Sequence, residues 1–257
     1  MKAGTVLAVC GYVFLLAPLG IVVVLSVSSG RYLSFPPPGF SLQWFAALSG
    51  NGELLSAAGR SAVLGVLVSL CALLVGVPAA FAVARGLVPG AVAGLLSLPL
   101  LLPTLVIGLA LLLVLQPAGL LATWPGLLLG HLSVVLPFVV RLMVTSFSAL
   151  PADLEDAAAT LGARPLAAFL HVTLPLAAPG ALAAGALAFL LSFDETVISL
   201  FLVGPRLTTL PVVLFHYAEN RADPLLAAWS VVLIALALSV VVVVDRLAGF
   251  TRTVGRT

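Results

Sequence analysis

The sequence predicts an all-α membrane protein of six spanning helices with both termini on the cytoplasmic side. Three observations predict it. Apolar residues fill 62% of the 257 positions and charged residues only 8%, whereas an ordinary soluble domain is about 25% charged. The mean hydropathy of +1.29 requires apolar residues around most helix faces, as in segments solvated by lipid or by other such segments. Finally, long apolar runs lie at about 5–27, 61–84, 91–115, 125–147, 179–203 and 225–244. Each reaches roughly 20 residues, enough at ~1.5 Å per residue to cross a ~30 Å hydrocarbon core, and only helices satisfy their own backbone there. The whole chain, 1–257, reads as one transmembrane domain.

The first run could be mistaken for a secretory signal, but it continues to Val27, beyond the roughly 7 to 15 residues of a signal core. A retained span is therefore expected. Cys10 follows Val9 where lipid attachment would need a small residue, so lipidation is rejected. With the N-terminus inside, Lys2, Arg85, Arg141, Arg164, Arg246, Arg252 and Arg256 fall at the cytoplasmic side, against Arg31, Arg60, Arg206 and Arg221 outside. Seven against four orients the chain by the positive-inside rule. Between spans one and two, Pro36, Pro37 and Pro38 interrupt any helix, which predicts an external loop with a short interfacial helix near Trp44 and Phe45. Trp124 and Trp229 are expected as headgroup anchors. Pro18, Pro78, Pro99, Pro103 and Pro137 predict kinks within or beside spans.

Several functions are excluded at this level. The only lysine is Lys2, so the chain carries no phosphate-binding loop with its lysine; any ATP must be hydrolysed by another subunit. Cys10 and Cys71 lie in apolar runs, and His131, His171 and His216 have no metal-ligand spacing. No metal or cofactor is expected on this chain. The basic residues form no run with interleaved aromatics, so nucleic acid is not a partner. No serine occupies a nucleophile motif, which removes a hydrolase.

The loop between spans four and five, about 150–175, is the most informative segment. Asp153 can cap a helix, Glu155 and Asp156 suit its positive end, and Gly162 can end it in a left-handed conformation. Pro165 then opens a second short helix that Pro175 is expected to stop. Taken alone, this is an amphipathic connector with a small-residue surface.

Asp156, Ala157 and Ala158, then Gly162, then Val172, Leu174 and Pro175 have a spacing that resembles the EAA loop of the membrane subunits of ABC-type importers. In that family the loop forms a coupling helix that docks onto the ATPase subunit. The resemblance implies that Glu155, Asp156, Ala157, Ala158 and Gly162 make that docking surface, with Asp156 standing one methylene shorter than the usual glutamate. It also implies a bacterial inner-membrane permease without catalytic residues. Its partners would be a second homologous permease, ABC ATPase subunits that bind ATP and Mg, an external solute-binding protein, membrane lipid and a small-molecule substrate.

Asp194 and Glu195 lie in the otherwise apolar fifth run, where an acidic residue costs roughly 2.5–3.5 kcal/mol and normally faces the bundle interior, a partner or water. A substrate pathway is one reading; a structural pair bound to Arg141 or to a partner, or one marking the end of the span, is the other. The Ser192–Glu195 string SFDE and the segments around 98–112 and 203–212 are similar to the second membrane subunit of spermidine/putrescine importers. That similarity implies a polyamine as cargo, with another organic cation or an oxyanion or phosphonate as alternatives. A proton-coupled secondary cation carrier is the competing class, for which the sequence offers no inverted repeat.

Overall fold

The computed structural model describes residues 3–248. In order, its helices are α1 (Ala3–Ser26), α2 (Gln43–Gly50), α3 (Gly52–Ala84), α4 (Gly90–Ser97), α5 (Thr104–Leu115), α6 (Trp124–Ser148), α7 (Asp153–Thr160), α8 (Pro165–Ala168), α9 (Leu174–Phe193), α10 (Val197–Leu202), α11 (Leu210–Asn220) and α12 (Leu225–Ala248). A 3₁₀ turn, Leu98–Leu101, follows α4, and a π turn, Phe169–Thr173, joins α8 to α9. Lys2, Arg252 and Arg256, three of the seven cations behind the orientation, lie outside the described residues.

Five helical stretches among the described residues are long and apolar enough to cross a membrane: Gly4–Ser26, Gly52–Ala84, Trp124–Ser148, Pro165–Phe193 and Leu225–Leu247. The sixth candidate is a bent pair of helices, not one helix. Gly94–Leu101 and Thr104–Leu115 meet at 106°, so the expected continuous helix over 91–115 is corrected. Pro103 is the cause, because it disfavours the helical conformation in the residue before it, and Leu102 is extended at φ −95°, ψ 140°.

The fifth span is corrected as well: it runs over Pro165–Phe193, not 179–203. Pro175 does not stop the helix. A proline removes one backbone donor and its ring crowds the carbonyl four residues earlier. Here the backbone widens into the π turn, with the Leu174 amide bonded to Phe169 O, and the helix continues. The second span likewise begins at Gly52 rather than at 61.

The described helices group into two compact units, one of residues up to Ala57 with Val213–Ser239, the other of Ala58–Val212 with the residues from Val240 on. In the first, α2 forms where the interfacial helix is expected, and Trp44 Nε1 donates to Ser28 O at 2.9 Å. The side chains of α1 are almost all exposed, as expected of a helix facing lipid or a partner. Trp229 is buried at 5% exposure, so it is a core residue rather than a headgroup anchor. Around the charged loop after α11, Tyr217 donates to Asp223 Oδ2 at 2.7 Å, and Asp223 Oδ1 caps the Leu225 amide.

The second unit holds the core. Leu64, Val68 and Ala72 of α3 meet Val139 and Met143 of α6, and Ala184 and Ala188 of α9 join the same cluster. Small residues on α9 let the helices approach closely, and Ser69 Oγ donates to Gly185 O at 2.8 Å across α3 and α9.

Candidate coupling helix and acidic break

Two places in the second unit gather the polar chemistry. One is α7 and its surroundings. Asp153, expected as the cap, is instead the first helical residue after Ala152, and with Glu155 and Asp156 it puts three carboxylates in the positive first turn. The helix ends as expected. Gly162 has φ +87°, its amide bonds Ala159 O, and the Ala163 amide reaches Ala158 O. That pair of bonds satisfies the last carbonyls through a left-handed residue that glycine adopts without strain.

The same closure ends α3. Gly86 has φ +66°, and Gly86 and Leu87 bond back to Val83 O and Ala82 O. The turn presents Arg85 to the loop. Its Nη2 donates to Glu155 Oε1 at 2.9 Å, and its Nη1 reaches Phe147 O and Leu150 O at 3.3 and 3.4 Å. Thr173 Oγ1, from the π turn, donates to the same Glu155 oxygen at 2.6 Å. Burial pushes the Glu155 carboxyl up, but the Arg85 and Thr173 bonds outweigh it and hold the group below its ordinary range. Phe81, Phe147 and Phe169 pack beside this cluster, with ring centroids 4.8–6.3 Å apart. On the outer side of α7, Asp156 and Ala157 are exposed and Ala158 is half-buried. Leu161, at the end of the helix, is 90% exposed, a large apolar side chain left uncovered by this chain.

The second place is the break after α9. Asp194 and Glu195 are not adjacent positions within a spanning helix, as the sequence suggested: α9 ends at Phe193 and α10 starts at Val197. The two carboxylates differ in use. Glu195 Oε1 accepts from the Ile198 amide at 2.9 Å and so caps α10. Asp194 is exposed. Among the described residues neither pairs with Arg141, which is itself exposed.

His131 of α6 ties the break to the bundle. It is fully buried, with Nδ1 2.9 Å from Ser192 Oγ and Nε2 3.0 Å from Ser199 Oγ. The Ser199 hydroxyl donates to Glu195 O at 2.7 Å, so it accepts from Nε2–H, and Nδ1 is left to accept from Ser192. The ring is therefore a structural hydrogen-bonder, as its isolation from other ligands in the sequence suggests.

The structure thus brings together Glu155, Asp156, Ala157 and Ala158 on one short helix with Gly162 in the turn that closes it, and Asp194 and Glu195 at one break, apart from it in sequence. Sequence reasoning counted Arg85 only for topology and passed over Thr173. The available signal for Arg85 was a lone cation at the end of an apolar run, immediately before a glycine.

Comparison with known proteins places this architecture. Residues 72–251 match the family described as the binding-protein-dependent transport system inner membrane component. The chain is 30% identical to the spermidine/putrescine transport system permease protein PotC of Escherichia coli (strain K12), over 100% of this chain and 97% of that protein. It is 31% identical to the putrescine transport system permease protein PotI of the same organism, over 85% of this chain and 81% of that one. In a solved bacterial ABC transporter involved in import of the acidic polysaccharide alginate, one chain superimposes with a TM-score of 0.67 at 21% identity, covering 96% of this chain and 95% of that one. The likeness to that structure is one of fold.

Proposed function

Because the chain belongs to the binding-protein-dependent transport system inner membrane components, we propose that it forms half of the translocation pathway of an ATP-driven importer for small polyamines. On this reading α7 is the coupling helix. The observation that carries it is a short helix that is closed at Gly162, held to its own bundle by Glu155, and exposed at Asp156, Ala157 and Leu161. Such a helix can transmit a partner's motion, which a subunit lacking a phosphate-binding loop requires. ATP and Mg then belong to a separate ATPase, and Leu161 is the apolar anchor at the docking surface. Both termini and α7 lie on the cytoplasmic side. A second permease and an external binding protein complete the assembly.

The cargo assignment rests on the relatives and on Asp194. An exposed carboxylate beside a helix break attracts an ammonium group and repels an oxyanion, which favours a polyamine over an anion that carries no ammonium group. Glu195, committed to α10, shapes the break instead of contacting the cargo. Uptake of labelled putrescine and spermidine into cells lacking this gene tests the reading. The native chain should restore uptake that depends on the partner ATPase, and Asp194→Asn should reduce it by about tenfold, the loss of one charge-assisted contact. Uptake driven by a proton gradient without the ATPase would instead indicate a secondary carrier, and native-level uptake by Asp194→Asn would remove that residue from the pathway.

A further inference from the structure

We infer that Arg85, Glu155 and Thr173 form a clamp that fixes the orientation of α7 against the ends of α3 and α6. The inference rests on the reading of α7 as the coupling helix, and it concerns how that helix is held rather than what it touches. A helix of eight residues is far below the length at which helices persist alone in water, and α7 buries none of its own residues. Its orientation must be imposed from outside.

The three side chains impose it from separate stretches of chain. Arg85 is the residue immediately after α3, and one guanidinium reaches Phe147 in the last turn of α6 and Leu150 just beyond it as well as Glu155 in the first turn of α7. Thr173 approaches the same carboxylate oxygen from the π turn beyond α8. The chain leaving α7 is therefore tied to the Glu155 carboxylate through Thr173, and the chain entering α7 is tied to it through the Arg85 guanidinium. A rotation of α7 about either connection breaks charge-assisted bonds. Side-chain exposures of 13% for Arg85 and 21% for Glu155 set this pair apart from freely solvated ion pairs, which contribute little. Beneath it the rings of Phe81, Phe147 and Phe169, from α3, α6 and the π turn, pack edge to face or tilted. Thr173 lies at the end of the π turn, which re-phases the helix there by one residue.

Amide hydrogen exchange over 153–160, measured on the chain in lipid nanodiscs with and without its ATPase, tests the clamp. Arg85→Ala and Thr173→Val should each speed exchange in α7 by about tenfold or more, while α6 and α9 keep their native protection. Thr173→Ser, which returns the hydroxyl without the methyl, should restore the native rate. Unchanged exchange over 153–160 in Arg85→Ala would overturn the clamp, as would Thr173→Ser exchanging as fast as Thr173→Val. If Arg85→Ala loses protection throughout, Glu155→Gln supplies the same comparison with a milder change. Failure of the native chain to hold an ATPase would defeat the coupling reading alone, because the exchange comparison without the ATPase still decides the clamp.

Discussion

Glu155 spends its carboxylate on bonds within its own chain. Its resemblance to a docking residue came from its place beside Asp156, yet its carboxylate is occupied by Arg85 and Thr173 within the chain. Nothing in the local sequence reveals this, because Arg85 is 70 residues away and the register between them is set by how α3 packs in the bundle. The glycine at 162 was legible for the opposite reason: its role is local. The Glu155 interaction carries a pH signature. The group's folded value is lowered, so its stabilising effect is fully present above the ordinary carboxylate range and is lost as pH falls through the folded value. Thermal unfolding of the native chain and of Glu155→Gln should therefore differ by a constant margin, about 1–3 kcal/mol, above about pH 5. That margin should close on further acidification. A margin that widens with acid would contradict the assignment.

At the scale of elements, prolines separate what the sequence made legible from what it did not. The apolar runs showed where most spans lie, since helix length and composition are set locally by the hydrocarbon thickness. They did not show how each proline would be accommodated. At Pro103 the chain breaks by 106°; at Pro175 it widens by one residue and continues. The difference depends on what the surrounding helices can re-satisfy, which is tertiary information. The acidic pair was misplaced for the same reason, because its position relative to the end of α9 shifted when the span began at Pro165 instead of 179. Pro175→Ala tests the account of the π turn. With the missing amide returned, residues 169–173 should relax to a regular helix, turning Thr173 away from Glu155 by about 100°. The variant should then share the fast α7 exchange of Thr173→Val. A Pro175→Ala chain that keeps both the π turn and native α7 protection would show that proline is not its cause.

For the whole molecule, the fold class and the family were legible because the spacing from Asp156 to Pro175 is specific over twenty residues and its position between the fourth and fifth spans is set by topology. Identity of 30% to PotC over the full chain and of 31% to PotI over 85% of it agrees with that reading. Cargo was less legible, since a pathway is defined by side chains from several helices and from a partner. The division of labour between Asp194, exposed, and Glu195, capping α10, became visible only with the break in place. If α7 is the surface through which an ATPase drives this permease, added bulk there opposes docking. Affinity purification of the native chain and of Ala158→Arg from membranes of the source cells, with the co-purifying ATP hydrolysis measured, tests it most directly. The native chain should retain ATPase activity, while Ala158→Arg should reach the membrane in equal amount and lose at least about tenfold of the bound activity, because bulk and charge at a small-residue contact oppose close docking. Equal ATPase retention by both chains would contradict the coupling assignment.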